Sequence, residues 1–144
     1  MSEPSPAAQG GRTFAGHPLQ AIRALDYTIL FARDLPAMRN FYLEVMRFEL
    51  YFEIADNWIE FRVGGNVLAL AKPGLIVPDQ PPPVGTASAQ LAFRVRKEEV
   101  DGAEAALRAE GVPIVSPATD QRWGHRTMFF RDPDGNLLEI YADI

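Results

Sequence analysis

One order of local signals occurs twice in this chain, and a duplicated unit constrains a fold more than any single motif does. In the first run the stretch DYTILFA (residues 26–32), rich in β-branched and aromatic residues, predicts a strand. Asp34 is placed to cap a helix that opens Leu35-Pro36, because a first-turn proline lacks only an N–H that has no helical partner there. Leu35, Met38, Tyr42 and Val45 fall on one face of that helix. Residues 48–54 and 58–63 alternate as strands, Gly64-Gly65 marks a hairpin, and residues 66–71 form the last strand. In the second run QLAFRV (90–95) reads as a strand. Val100, Ala103 and Leu107 line a helix with Glu98 and Glu99 in its first turn, and Gly111 stops it. Strands follow at 112–115, 126–131 and 136–141, the last two joined by the turn DPDG (132–135). The expected fold is α+β: two βαβββ modules, residues 24–71 and 89–144, each a curved mixed sheet with one helix.

The modules are joined by KPGLIVPDQPPPVGTAS (72–88), whose five prolines and two glycines read as a partly extended linker. Residues 1–23, rich in Ser, Pro, Ala and Gly, read as a flexible leader with order expected only near residues 14–22, and His17 within it as a solvated residue. With 144 residues and 47% hydrophobic content, the chain suits one domain or two tightly packed half-domains. A net charge of −5 argues against nucleic acid as a partner. The absence of cysteine excludes disulfides, thiolate metal sites and thiol catalysis, and is compatible with the cytosol. No apolar run approaches the ~18 residues of a membrane span, and the N-terminus lacks signal-peptide features. A cytoplasmic protein with no membrane partner is expected.

Strand parity gives the lining of a pocket, since successive side chains point to opposite faces. Thr28, Leu30 and Ala32 are expected under the first helix, with Tyr27, Ile29 and Phe31 on the concave side. The same argument turns Trp58, Glu60 and Arg62 inward, together with Gln90, Ala92, Arg94, Leu137, Glu139 and Tyr141. Charges on an inward face are costly unless paired or solvated. Two readings follow: Arg–Glu pairing that only satisfies the interior, or groups that orient an amphipathic or anionic ligand between aromatic walls. Trp58 and Trp123 fit either a pocket or an ordinary core, and Trp123-Gly124 precedes a strand, where pockets tend to be gated. His125 in RWGHRT reads as a loop residue at the pocket mouth, with a ligating role as the alternative.

FFRDPDGNLLEIY (129–141), together with DYTILFARDLPAMRNFYLEV (26–45), resembles the vicinal oxygen chelate superfamily of glyoxalase I, extradiol dioxygenases, and the bleomycin and fosfomycin resistance proteins. The resemblance covers about residues 25–142. DPDGN followed by an apolar-Glu-apolar strand is specific for the superfamily and not for any one activity. The resemblance implies metal positions at Tyr27, Ala69, Gln90 and Glu139. A catalytic divalent metal wants about three good protein donors. Here Glu139 is one, Gln90 is a neutral amide, Tyr27 a phenol of ordinary pKa ~10, and Ala69 offers nothing. No cofactor is therefore expected, and a divalent metal is the alternative.

The expected function is the binding of a small organic molecule in a barrel-like cavity without an intact inherited metal site. The alternatives are a metal-dependent lyase or dioxygenase of the glyoxalase I type with altered ligands, or a metal-independent isomerase with Glu139 or Glu60 as base. The resemblance also implies a homodimer. Each pocket would draw Tyr27, Trp58 and Arg62 from one chain, and Gln90, Arg94 and Glu139 from the other. The seventeen-residue linker, at ~3.1 Å per residue, is long enough for that exchange. Closure within one chain is the other possibility.

Overall fold

The computed structural model describes residues 15–75, 77–80, 83 and 88–144. Its elements are β1 (Tyr27–Phe31), α1 (Leu35–Asn40), β2 (Glu49–Ile54), β3 (Trp58–Val63) and β4 (Asn66–Ala71), then β5 (Gln90–Arg94), α2 (Val100–Ala109), β6 (Ile114–Asp120), β7 (His125–Arg131) and β8 (Leu137–Asp143). The βαβββ order thus occurs twice. Each module forms a four-stranded mixed sheet, with strand orders β1-β4-β3-β2 and β5-β8-β7-β6. β1 pairs in parallel with β4 and β5 with β8, and the remaining pairs are antiparallel. The parallel pairs are possible because the intervening helix and hairpin supply the long crossover that such pairing needs.

Asp34 caps α1, its carboxylate accepting from Ala37 N at 3.0 Å. The helix then widens into one π-type turn, Phe41–Val45, closed by Met46 N donating to Phe41 O at 2.9 Å. The neighbours Phe41 and Tyr42 are both buried within this turn. Gly111, with φ +78°, terminates the turn that follows α2, a conformation open to glycine without strain.

Several strand ends differ from the sequence expectation, and three of the differences bear on the site. β6 runs on to Asp120 through Pro117 instead of stopping at Val115; it is an edge strand, where a residue lacking an N–H is tolerated, and its register shifts twice. β7 starts at His125, so this residue stands on a strand and not in a loop. β8 reaches Asp143. In the leader, Pro18–Ala21 forms a short 3-10 turn, with His17 Nδ1 accepting from Leu19 N at 3.2 Å. Residues 1–14 and part of the linker lie outside the described residues, and with them most of the expectation for those segments. The described linker residues belong to neither helix nor strand.

Both modules contribute to one core. Leu30, Met38, Phe61 and Leu70 of the first are continuous with Val100, Leu107, Met128, Phe130 and Leu138 of the second. The rings of Phe41 and Phe130 lie 6.5 Å apart across the junction and those of Phe48 and Phe93 5.5 Å. Polar contacts add direction: Tyr42 Oη donates to Asp132 Oδ2 at 2.8 Å, and Arg33 N to Asp134 Oδ2 at 3.1 Å. The helix-bearing faces of the two sheets therefore pack together, and the opposite faces turn outward.

Candidate functional site

Parity places the side chains of the first open face as the sequence implies. Leu30, Ala32, Ile59 and Phe61 are buried under the helix layer, while Tyr27, Ile29 and Phe31 remain exposed. Thr28 shares the side of Leu30 but is exposed. Register arranges the face in rows: Ile29, Ala69, Glu60 and Phe52 cross the sheet together, with Phe31, Ala71, Trp58 and Ile54 beside them. Glu60 is only 8% exposed although it lies on the open side. Trp58 Nε1 donates to its Oε2 at 2.7 Å. The Arg62 guanidinium lies 4.1 Å from the centre of the Tyr51 ring.

The second open face holds a cavity of about 550 Å³ lined by Gln90, Arg94, Trp123, His125, Glu139 and Tyr141, together with Ala92, Phe129 and Asp143. Gln90 Nε2 stands 3.5 Å from Glu139 Oε1, the outer limit of a hydrogen bond. Asp143 gathers two partners: the Arg94 guanidinium pairs with it, and His125 Nε2 lies 3.2 Å from its Oδ1. The hydrogen bond from Arg94 holds the Asp143 carboxyl below the usual carboxylate range, and Asp143 holds the guanidinium even more firmly protonated. The Tyr141 ring contacts both, lying tilted 4.8 Å from the His125 ring and 5.0 Å from the Arg94 guanidinium. The inward arginines thus do not pair with the inward glutamates: Arg94 takes Asp143 and Arg62 takes a ring. Asp143 and Phe129 were not singled out from sequence. Parity applied to β7 identifies Phe129, whereas Asp143 lies past the expected end of its strand.

A larger cleft, about 810 Å³, lies beside the start of α1. Four of its six charged side chains are engaged in holding the fold: Arg39 with Glu53 at 2.9 Å, Asp34 with the helix, and Arg33 with Asp134. The site residues read from sequence fall instead on the two open faces. Tyr27, Phe31, Trp58, Glu60 and Arg62 share one, and the residues from Gln90 to Tyr141 share the other. With the common core between these faces, one chain does not bring the two sets together.

The inherited metal positions divide in the same way, Tyr27 and Ala69 on one face, Gln90 and Glu139 on the other. One carboxylate, one neutral amide, one phenol and a methyl group do not fit a divalent cation. Among the described residues no three His, Cys, Asp or Glu side chains gather in a way that could hold a metal ion. No described helix is long and apolar enough to cross a membrane.

The profile of the Glyoxalase/Bleomycin resistance protein/Dioxygenase superfamily matches residues 24–140. The uncharacterized protein YaeR of Escherichia coli is 27% identical over 126 residues, 83% of this chain and 96% of that one. A glyoxalase/bleomycin resistance protein/dioxygenase structure from Nocardioides superposes with a TM-score of 0.75 at 24% identity, covering 86% of this chain and 85% of that one. A lactoylglutathione lyase structure from Agrobacterium tumefaciens superposes with a TM-score of 0.71 at 25% identity, covering 85% and 95%.

Proposed function

As the chain belongs to the Glyoxalase/Bleomycin resistance protein/Dioxygenase superfamily, we propose that it binds a small organic molecule in a cavity closed by two copies of the chain, with no metal at the inherited positions. The observation that carries this reading is the outward direction of both open faces. Each bears charged and aromatic side chains suited to a ligand, and each is half of an enclosure. Tyr27, Ile29 and Phe31 leave apolar surface in water on the first face, and contiguous exposed apolar surface marks an interaction site. The outer edges of β1 and β5 are unpaired within their sheets, which is a liability unless covered. A two-fold dimer that sets the first face of one chain against the second face of its partner answers both needs and gives two equivalent pockets. We take the protein as cytoplasmic, because a chain without cysteine has no need of an oxidising compartment.

A second reading, metal-independent proton transfer in the same pocket, is supported by Glu139. This carboxylate lines the cavity, and its one hydrogen-bond contact among the described residues, to Gln90, is long. A lyase is supported by the name of the Agrobacterium neighbour, and the donor set speaks against a metal-dependent one.

Native mass spectrometry of protein purified without chelator tests the main reading in one measurement. The expected species is twice the 16.0 kDa chain, carrying well below one equivalent of Zn, Fe, Mn or Ni per chain. A concentration-independent monomer overturns the shared cavity. Stoichiometric metal that disappears in Glu139→Ala overturns the metal-free site and promotes the lyase.

A further inference from the structure

Glu60 and Arg62 stand two residues apart on β3, on the same open face, roughly 6.6 Å apart along the strand. Their charges are opposite and their side chains are long enough to meet, yet they form no ion pair. Arg62 is also unpaired with Glu49, its register partner on β2. Instead each charged group is held by an aromatic neighbour: Glu60 by the Trp58 indole N–H at 2.7 Å, and Arg62 by the Tyr51 ring at 4.1 Å. Both retain unused capacity. A carboxylate has about four acceptor sites and a guanidinium five donors. Among the described residues, Glu60 accepts one hydrogen bond, at Oε2, and Arg62 makes none. No buried side-chain oxygen among the described residues lacks a partner, so the unpartnered Glu60 Oε1 is open to whatever occupies the face. Around the pair lie Phe52 opposite Glu60 and Ile54 opposite Trp58, both about half exposed.

We propose that this divided pair recognises a zwitterion with an apolar or aromatic body, its ammonium group on Glu60 and its carboxylate on Arg62. The proposal rests on the reading that the first open face lines a ligand cavity, and it names the class of ligand. A simple organic cation would satisfy Glu60 but face the like charge of Arg62, and a simple anion would meet the converse problem. A zwitterion presents each charge to its opposite. The rings that hold the two side chains apart keep the pair from collapsing on itself before the ligand arrives, which lowers the ordering cost of binding.

Three probes that share one ring test this: phenylalanine, phenethylamine, which lacks the carboxylate, and 3-phenylpropanoate, which lacks the ammonium group. Titration calorimetry on the intact protein should give phenylalanine a Kd at least about tenfold below either analogue. Glu60→Gln should abolish the advantage over 3-phenylpropanoate, and the exposed Arg62→Gln the advantage over phenethylamine, with each variant leaving the other preference in place. Equal binding of the three probes, binding of none by dimeric protein, or preferences untouched by the substitutions would overturn the assignment. The native mass separates the two readings: undiscriminating binding by a dimer removes only the zwitterion, whereas a monomer that binds no probe removes the cavity as well.

Discussion

Asp132→Ala should destabilise the protein by about 3–5 kcal/mol, more than its place in a surface turn suggests. Asp132 is 4% exposed. Its Oδ1 accepts from Asp134 N at 2.9 Å and Asn136 N at 3.0 Å, and its Oδ2 from Asn136 Nδ2 and Tyr42 Oη, each at 2.8 Å. Asn136 in turn accepts from Ser88 Oγ at 2.7 Å. Truncation to alanine leaves a buried hydroxyl and a buried amide without their acceptor, and such orphaned groups cost about 1–3 kcal/mol each. Burial, and secondarily the charge of Asp132, hold the Tyr42 phenol well above its ordinary pKa, so Tyr42 remains a donor through the alkaline range. Tyr42→Phe removes one donor and leaves Asp132 three others, so about 1–2 kcal/mol is expected. For a chain of this size Asp132→Ala corresponds to a fall in Tm of about 10 °C or more. Urea unfolding followed by far-ultraviolet circular dichroism and tryptophan fluorescence measures both variants. An Asp132→Ala cost below that of Tyr42→Phe would show that the network is not what joins the modules.

The same residue shows where the sequence was legible. DPDGN is readable as a turn, and as the most specific sign of the superfamily. The role of Asp132 as anchor for Tyr42 is not, because the contact spans 90 residues and no local period encodes it. Strand parity carried further than any motif. It assigned Tyr27, Phe31, Trp58, Glu60, Arg62, Gln90, Arg94, Glu139 and Tyr141 to the faces they occupy. Local pattern did not reach the π-type turn that holds Phe41, nor the continuation of β6 through Pro117. Parity also cannot orient one sheet against another. It says which side of a strand a residue takes, but whether two concave sides face each other depends on how the helix layers pack. That is settled by contacts such as Phe41 with Phe130 and Phe48 with Phe93. Of the two readings open for the inward charges, Arg–Glu pairing is not what forms: Arg94 takes Asp143 and Arg62 the Tyr51 ring. Asp143 lies past the expected end of β8, so no strand pattern brings it to Arg94.

Phe129→Ala and Phe130→Ala are adjacent on β7 and should behave as if they belonged to different proteins. Phe130 is 0% exposed, packed among Phe41, Met128 and Leu138 in the core common to both modules. Its truncation should cost about 3–5 kcal/mol, the sum of lost burial and the cavity left behind. Because that core is continuous across the modules, the loss should appear as one earlier cooperative transition and not as separate melting of the second module. Phe129 points the other way, into the open cavity beside Glu139, its register partner. Little packed structure depends on it, so its truncation should cost about 1 kcal/mol or less. Its effect should appear instead in ligand binding, through loss of an aromatic wall. Denaturant unfolding of the two variants, with probe titration of each, separates the two faces. If the costs came out reversed, β7 would be paired one residue out of register, since a shift of one residue moves every side chain of a strand to the opposite face. The assignment of Glu139, Tyr141 and His125 to a common cavity would then fall with it.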